Sequence, residues 1–380
     1  MQDHPCIIIY PWRRLLAVSA HAHSGPLSDY AILSGMKNVA LLLIFSAASI
    51  AQNYKAEQTS DHGIPVIHLV DVGNRVEVSI LPSLGNRAYE MKVHGKNILY
   101  FPISDLSQAQ KAPGLNGIPF LAPWANRLGE QAFWANGKKY PFNMTLGNVR
   151  GPIPIHGLLS GSVLWHVTQA AADAESAHVT SKLEFWKYPD LMAQWPFAHE
   201  YEMTYRLSGG VLEVQVTVTN LGAEPMPISL GFHPYYRIPD VSRDEWTAHL
   251  AARKTIVADD RLVATGEFKP NDLPDPLPLK TNHLDTGFTD LERDGDGRAH
   301  FWIESRGKKI EIMLGPKFPV ALIWDPPAQP GDTRDFICIE PMAGITNALN
   351  LNHEGKYPDL QSVPPGGTWT ESFWIRASGI

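Results

Sequence analysis

The sequence predicts an all-β protein built as one large antiparallel domain, and three observations lead there. Residues 211–220 alternate without a break: Leu212, Val214, Val216 and Val218 fall on one face, and Glu213, Gln215, Thr217 and Thr219 on the other, as in a half-buried strand. Links between such runs are short, as at Val93-His94-Gly95-Lys96-Asn97, and short links join antiparallel neighbours. The 380 residues include 31 prolines, 30 glycines and 11 tryptophans, a turn-rich aromatic composition unlike that of a helical bundle.

Taken in order, residues 66–102 read as successive strands, with Val76, Val78 and Ile80 alternating and Gly85 marking a bend. Strands are expected again at 164–168, 179–186, 199–207 and 211–220, then at 310–314, 320–324, 336–339 and 370–376. Residues 241–278 are weakly patterned and rich in Pro and Asp toward their end, which predicts a long surface excursion. Residues 190–197 hold Trp195-Pro196-Phe197, a loop that either walls a cleft or covers a sheet. Asp294-Gly295-Asp296-Gly297 resembles the opening of a calcium loop, but the remaining EF-hand positions are missing and a tight hairpin accounts for it better.

The N-terminal part carries its own signal. Met36-Lys37-Asn38 opens a short basic region, residues 39–50 are apolar, and Ser49-Ile50-Ala51 supplies small residues before Gln52, so 36–51 reads as a secretory signal peptide. The apolar run falls short of the roughly 18 residues a membrane span needs. Residues 1–35 read as an over-extended start ahead of a true Met36, the alternative being an uncleaved or internal signal anchor. The expected product is a β domain over 60–380, exported to a periplasm or the extracellular space, with no membrane contact after cleavage. Cys6 lies in the leader, so the domain keeps only Cys338, a small hydrophobe in an apolar run, and forms no internal disulfide. A net charge of -7 with 19% charged residues excludes a nucleic-acid or basic membrane surface and suits a small neutral ligand.

A few polar residues stand out in apolar or aromatic frames. His233 precedes Pro234, which has no N–H for a ladder, so a strand is expected to end at the imidazole, with Tyr235 and Tyr236 as flat walls beside it. Trp124-Ala125-Asn126-Arg127 places a guanidinium in an apolar loop, where it needs either a protein carboxylate or the oxygens of a ligand. The loop Gly151-Pro152-Ile153-Pro154-Ile155-His156-Gly157 presents His156 before a glycine that permits close backbone approach. Asp285 is expected in a polar turn, with Asp290 as a competing carboxylate. Glu340 is expected at the end of an apolar strand, immediately before Pro341, an expensive place for an acid without a partner or a task.

Trp124-Ala125-Asn126-Arg127, Ile155-His156-Gly157, His233-Pro234-Tyr235-Tyr236, Leu284-Asp285 and Cys338-Ile339-Glu340, in that order, resemble the aldose 1-epimerase (galactose mutarotase) family over nearly all of the chain after the leader. The resemblance implies a large antiparallel β-sandwich of the galactose mutarotase type with one cleft. It also implies interconversion of the α and β anomers of a free hexose such as glucose or galactose. Glu340 corresponds to the general base and His233 to the general acid; Arg127, His156 and Asp285 correspond to the ligand-holding set, with Asn126, Tyr235 and Trp324 as further sugar contacts. Opening a hemiacetal removes one proton and delivers another, so a carboxylate and an imidazolium form a minimal pair and no cofactor or metal is required. Departures are Pro341-Met342-Ala343 after the glutamate, where many sugar mutarotases have Thr-Gln, and Gly231-Phe232 before His233. They bear on which sugar is used. A monomer and a homodimer are equally compatible with the sequence.

Four other functions fit these residues less well. A noncatalytic carbohydrate-binding module would explain the aromatics without needing both Glu340 and His233. A glycoside hydrolase using Asp285 and Glu340 would need them roughly 5 to 9.5 Å apart. A sugar-phosphate epimerase would need several cations, where the motif stretches offer only Arg127 and Arg237. A zinc site lacks any short ligand spacing.

Overall fold

The computed structural model describes residues 53–112, 114–145, 149–150, 153–326 and 335–380. The leader expected over 36–51, the residues ahead of it, and Gly151 and Pro152 lie outside the described residues. Two large antiparallel sheets face each other. The outer sheet runs in the order His166–Ala172, Ala177–Leu183, His199–Ser208, Val211–Asn220, Thr368–Ser378, Lys308–Leu314, Ala299–Ser305, Thr247–His249, Leu277–Pro278. The second, called here the cleft sheet, runs Ala264–Pro270, Ala252–Ala258, Leu284–Leu291, Val320–Asp325, Ile337–Met342, Gly231–Phe232, Phe120–Leu121, with Tyr235–Tyr236 also paired to Ile337–Met342. A meander from Tyr54–Asp61 to Lys96–Asn97 adds a five-stranded sheet, and its first strand lies ahead of the boundary expected at residue 60.

Side-chain alternation builds the layers. Val214, Val216, Ile312, Phe373 and Ile375 of the outer sheet share one buried cluster with Phe288, Ala321, Ile323, Ile337 and Ile339 of the cleft sheet. The other face of the cleft sheet is also partly covered: Val320, Leu322 and Met342 join Leu121, Ile345 and Leu351 in a second cluster. Burial on both faces explains why residues 336–339 read as a continuous apolar run.

Several expectations need correction. Residues 241–278 are not a surface excursion: they contribute the strands Thr247–His249, Ala252–Ala258, Ala264–Pro270 and Leu277–Pro278 to the two sheets. These are edge or near-edge strands carrying Arg253, Lys254, Glu267 and Lys269, and such charges blunt a sheet edge while hiding its alternation. Asp285 lies inside the strand Leu284–Leu291, not in a turn, because Thr286 and Gly287 are tolerated on a half-buried strand. Glu340 lies mid-strand in Ile337–Met342 and Pro341 is part of that strand. The strand expected at 164–168 forms at His166–Ala172, largely exposed, while Trp165 ahead of it enters the core.

Trp195 follows the short helix Pro189–Gln194 and is fully buried, stacked on Phe133 with ring centroids 4.3 Å apart and 6.3 Å from the Trp124 ring. The 190–197 segment therefore covers core and does not line the cleft described below. Trp195→Ala is expected to cost about 3–5 kcal/mol of stability by urea denaturation, and a loss under about 1 kcal/mol would contradict this packing.

Candidate active site

The register of the cleft sheet sets two rows of side chains. Asp285 pairs with Trp324, Trp324 with Cys338, and Cys338 with Tyr235, so these four stand side by side across four strands. Gly287 pairs with Leu322 and Leu322 with Glu340. Counting inward from Gly231 opposite Met342 and Tyr235 opposite Cys338 places His233 directly across from Glu340. Residues opposed in this way share a face and bring their Cβ atoms within about 4.5–5.5 Å. The result is a contact of 3.3 Å between His233 Nε2 and Glu340 Oε1, with the two side chains 6% and 1% exposed. Pro234 and Pro341, one next to each member of the pair, both lack an N–H, so ladder bonding is thinned beside it.

Aromatic rings frame the pair. Tyr235 stacks on His233 at 4.8 Å and 12°, and Trp324 meets both edge-on, at 5.7 Å from His233 and 6.0 Å from Tyr235. Near Tyr235 lies Arg87, fully buried, whose Nη1 donates to Asn116 Oδ1 at 3.1 Å and Nη2 to the Ser160 carbonyl at 2.6 Å. Burial lowers its pKa to about 10 against the opposing influence of the nearby Tyr235 and Tyr205 phenols. Behind Trp324, Arg243 Nη1 donates to buried Asp325 Oδ1, whose carboxyl burial pushes up to about 7 although the guanidinium works the other way.

Two loops close the opposite side, held backbone to backbone. Ala125 N–H donates to the Ser229 carbonyl at 2.6 Å, His156 N–H to the Asn126 carbonyl at 3.0 Å, and Leu158 N–H to the Ala122 carbonyl at 2.7 Å. Asn126 adopts φ 56°, a conformation asparagine tolerates, and its Oδ1 accepts from the Arg127 N–H at 2.8 Å and from Arg127 Nη1 at 3.3 Å. That aims the guanidinium. His156, at φ 62°, brings its ring centroid 5.3 Å from that of His233. Gly157, also at φ 62°, passes so close to residue 122 that a Cβ would sit 2.2 Å from the Ala122 carbonyl oxygen.

These residues line one cavity of about 380 Å³, within the range of small-molecule sites. Its wall includes Asn126, Arg127, His156, His233, Tyr235, Asp285, Trp324 and Glu340; Tyr236, expected as a second wall beside His233, instead turns into the core and is fully buried, because neighbouring strand residues face opposite sides. Asp290 is elsewhere, exposed and facing Arg253 and Lys254. Leu115 and Leu322 line the cavity without having been foreseen, since isolated leucines carry no signal of a site. The supporting Arg87 was also missed; it opens the strand Arg87–Val93, which also carries Glu90 and Lys92, so a further charge there gives no signal. Among the described residues, no three His, Cys, Asp or Glu side chains are grouped to hold a metal ion, and no described helix is long and apolar enough to cross a membrane.

Electrostatics single out Glu340. Burial and the neighbouring Asp285 push its carboxyl well above the ordinary range, and Arg127 only partly offsets this. Asp285 is itself raised by burial, with Arg127 again opposing. The second carboxylate oxygen, Glu340 Oε2, is buried with no hydrogen-bond partner among the described residues. A buried acceptor of this kind is costly unless a ligand donates to it.

A sequence model of the aldose 1-epimerase family matches residues 68–376. The chain belongs to the aldose 1-epimerase family. Its fold is that of the mutarotases: a galactose mutarotase-like protein from Clostridium acetobutylicum superposes with a TM-score of 0.76 at 21% identity, covering 86% of this chain and 99% of that one. The Slr1438 protein of Synechocystis sp. PCC 6803 gives a TM-score of 0.65 at 27% identity, over 83% and 96% of the two chains. The uncharacterized Escherichia coli K12 protein YphB is 27% identical over 193 residues, 48% of this chain and 62% of its own length. The large antiparallel sandwich expected from the sequence is therefore present, and family membership rests on most of the chain.

Gly157→Ala would force a Cβ into the Ala122 carbonyl in a backbone region that disfavours it. A loss of roughly 1–3 kcal/mol or more is expected in urea denaturation, and an unchanged midpoint would mean that this crossing of loops is not rigid.

Proposed function

We propose that this protein is an aldose 1-epimerase that interconverts the α and β anomers of a free aldose, with Glu340 as general base and His233 as general acid. The observation that supports it most directly is the opposed His233–Glu340 pair on the floor of a sugar-sized cavity. The Glu340 carboxylate takes the proton of the anomeric hydroxyl while the His233 imidazolium gives one to the ring oxygen. The bond between C1 and the ring oxygen breaks and the open aldehyde forms. Rotation about C1–C2 presents the other face of the carbonyl; on reclosure His233 takes back the proton of the attacking hydroxyl and Glu340 returns one to the carbonyl oxygen. The sum of protons on the pair is unchanged after each turnover.

The surroundings suit these roles. A carboxylate whose pKa is raised is a stronger base once ionised, and burial together with the neighbouring Asp285 raises that of Glu340. Tyr235 and Trp324 offer apolar faces to the sugar ring, and Arg127, His156, Asp285 and Asn126 offer hydrogen bonds to its ring oxygen and hydroxyls. Arg127 is the one Lys or Arg on the cavity wall among the described residues, which favours an unphosphorylated sugar.

Polarimetry of freshly dissolved α-D-glucose and α-D-galactose tests the reading. Glu340→Gln and His233→Asn are each expected to lower turnover by about 10²–10⁴ with an intact fold; near-wild-type rates in either would remove the role assigned to it, and binding without any acceleration would indicate a binding module.

The pH dependence follows from the sign of the shift. Glu340 must be ionised to act, so activity falls as pH drops through its raised pKa, and the acid limb of kcat/KM should lie above the ordinary glutamate value of 4.5. Asp285→Asn removes a negative neighbour and should move that limb to lower pH, separately from any loss of sugar affinity. An unmoved or raised limb would contradict the coupling.

A further inference from the structure

The cleft does not end at Asp285. A second cavity of about 160 Å³ opens beside the first and shares Arg127, Asp285 and Leu322 with it as a common wall. Its far side is formed by Ile256, Ala258 and Ala264, from the two strands next toward the sheet edge. A third cavity of about 410 Å³ continues past Ile256, Ala258 and Thr286. Strand order puts the three in a row, from the His233–Glu340 pair outward across Val320–Asp325, Leu284–Leu291 and Ala252–Ala258.

The second cavity looks built to receive something. On its floor stands Gly287, between Leu322 and Ile256; a Cβ there would come within 2.8 Å of Ile256 Cδ1, so the missing side chain keeps the floor low. At its rim Leu262 is 38% exposed and held at φ 60°, a strained conformation for a leucine that presents apolar surface to whatever lies in the cavity. Thr286 and the buried Thr346 add hydroxyl groups to the wall. The two charges on the wall, Arg127 and Asp285, are of opposite sign. Apolar patches, a few hydroxyls and balanced charge suit a second sugar ring, whereas a phosphate would call for several cations or a nest of N–H donors.

We infer that the substrate is the reducing end of a short oligosaccharide, its reacting ring over Glu340 and His233 and its next ring in the second cavity. This specificity rests on the epimerase reading above, and two independent readouts keep them apart. Wild-type protein, Ala258→Trp and Ala258→Ser are compared on glucose, galactose and reducing disaccharides with 1→3, 1→4 and 1→6 linkages, by calorimetric binding and by polarimetry of single anomers. Ala258 is exposed, so the tryptophan fills the second cavity without entering the core.

At least one disaccharide should bind about ten-fold more tightly than its parent monosaccharide, and be turned over with a matching gain in kcat/KM. Ala258→Trp should abolish that gain while leaving monosaccharides within about two-fold of wild type, and Ala258→Ser should keep it. Equal values for mono- and disaccharides in the wild type, or parallel losses for both in Ala258→Trp, would overturn the second subsite. A disaccharide preference in binding without acceleration would support the subsite and remove the epimerase reading; acceleration of monosaccharides with no preference would do the reverse.

Discussion

The site depends on one register. With Tyr235 opposite Cys338 and Gly231 opposite Met342, His233 has to stand across from Glu340, and both have to face the cleft. A slip of one residue would turn Glu340 into the core and bring Ile339 out, because strand side chains alternate with a period of two. Burying an unpaired carboxyl among Ile323, Ile337 and Phe288 would cost several kcal/mol. The packing that stabilises the sandwich therefore also selects the one pairing in which the proposed acid and base meet.

Around that pair the chain arranges strain and support in layers. Asn126 and His156 adopt left-handed backbone conformations, held there by bonds that run between their own two loops. The loop bearing Arg127 is tied on its far side as well, where Asn347 N–H donates to the Arg127 carbonyl at 2.9 Å and Asn347 Oδ1 accepts from the Gly129 N–H at 2.8 Å. Arg87 near Tyr235 and the Arg243–Asp325 pair next to Trp324 bring buried charge close to the aromatic walls without exposing it to a ligand. Fixed positions of this kind are what proton transfer between groups on a small sugar demands.

How much of this could be read from the chain divides along physical lines. The strands Val211–Asn220 and His199–Ser208 were legible because each buries one face, and the resulting alternation survives in the sequence. The edge strands between residues 247 and 278 were not, since exposed charges on an edge erase that pattern. The clues to Glu340 and His233 were local ones, a polar residue in an apolar run with proline after it. The strand Gly231–Phe232 does stop at His233, but the position of Glu340 within its ladder was misjudged, as proline is expected to end a strand and here Pro341 continues one. Asp285 showed itself as a carboxylate but not as a strand residue. The row of cavities had no sequence signature at all, because it arises from which strands become neighbours in the sheet.

Cys338 has a quieter role. It sits between Trp324 and Tyr235 in the same row, buried, and its side chain is small enough for the two rings to come within 6.0 Å of each other over it. Burial pushes its thiol well above the ordinary value, and Glu340 and Asp325 push the same way, so it is held as a neutral, unreactive group. It acts as a spacer: the girth of one atom at this position sets the gauge of the aromatic slot, and a branched aliphatic in its place would spread the jaws of the cleft without altering any group that touches a proton.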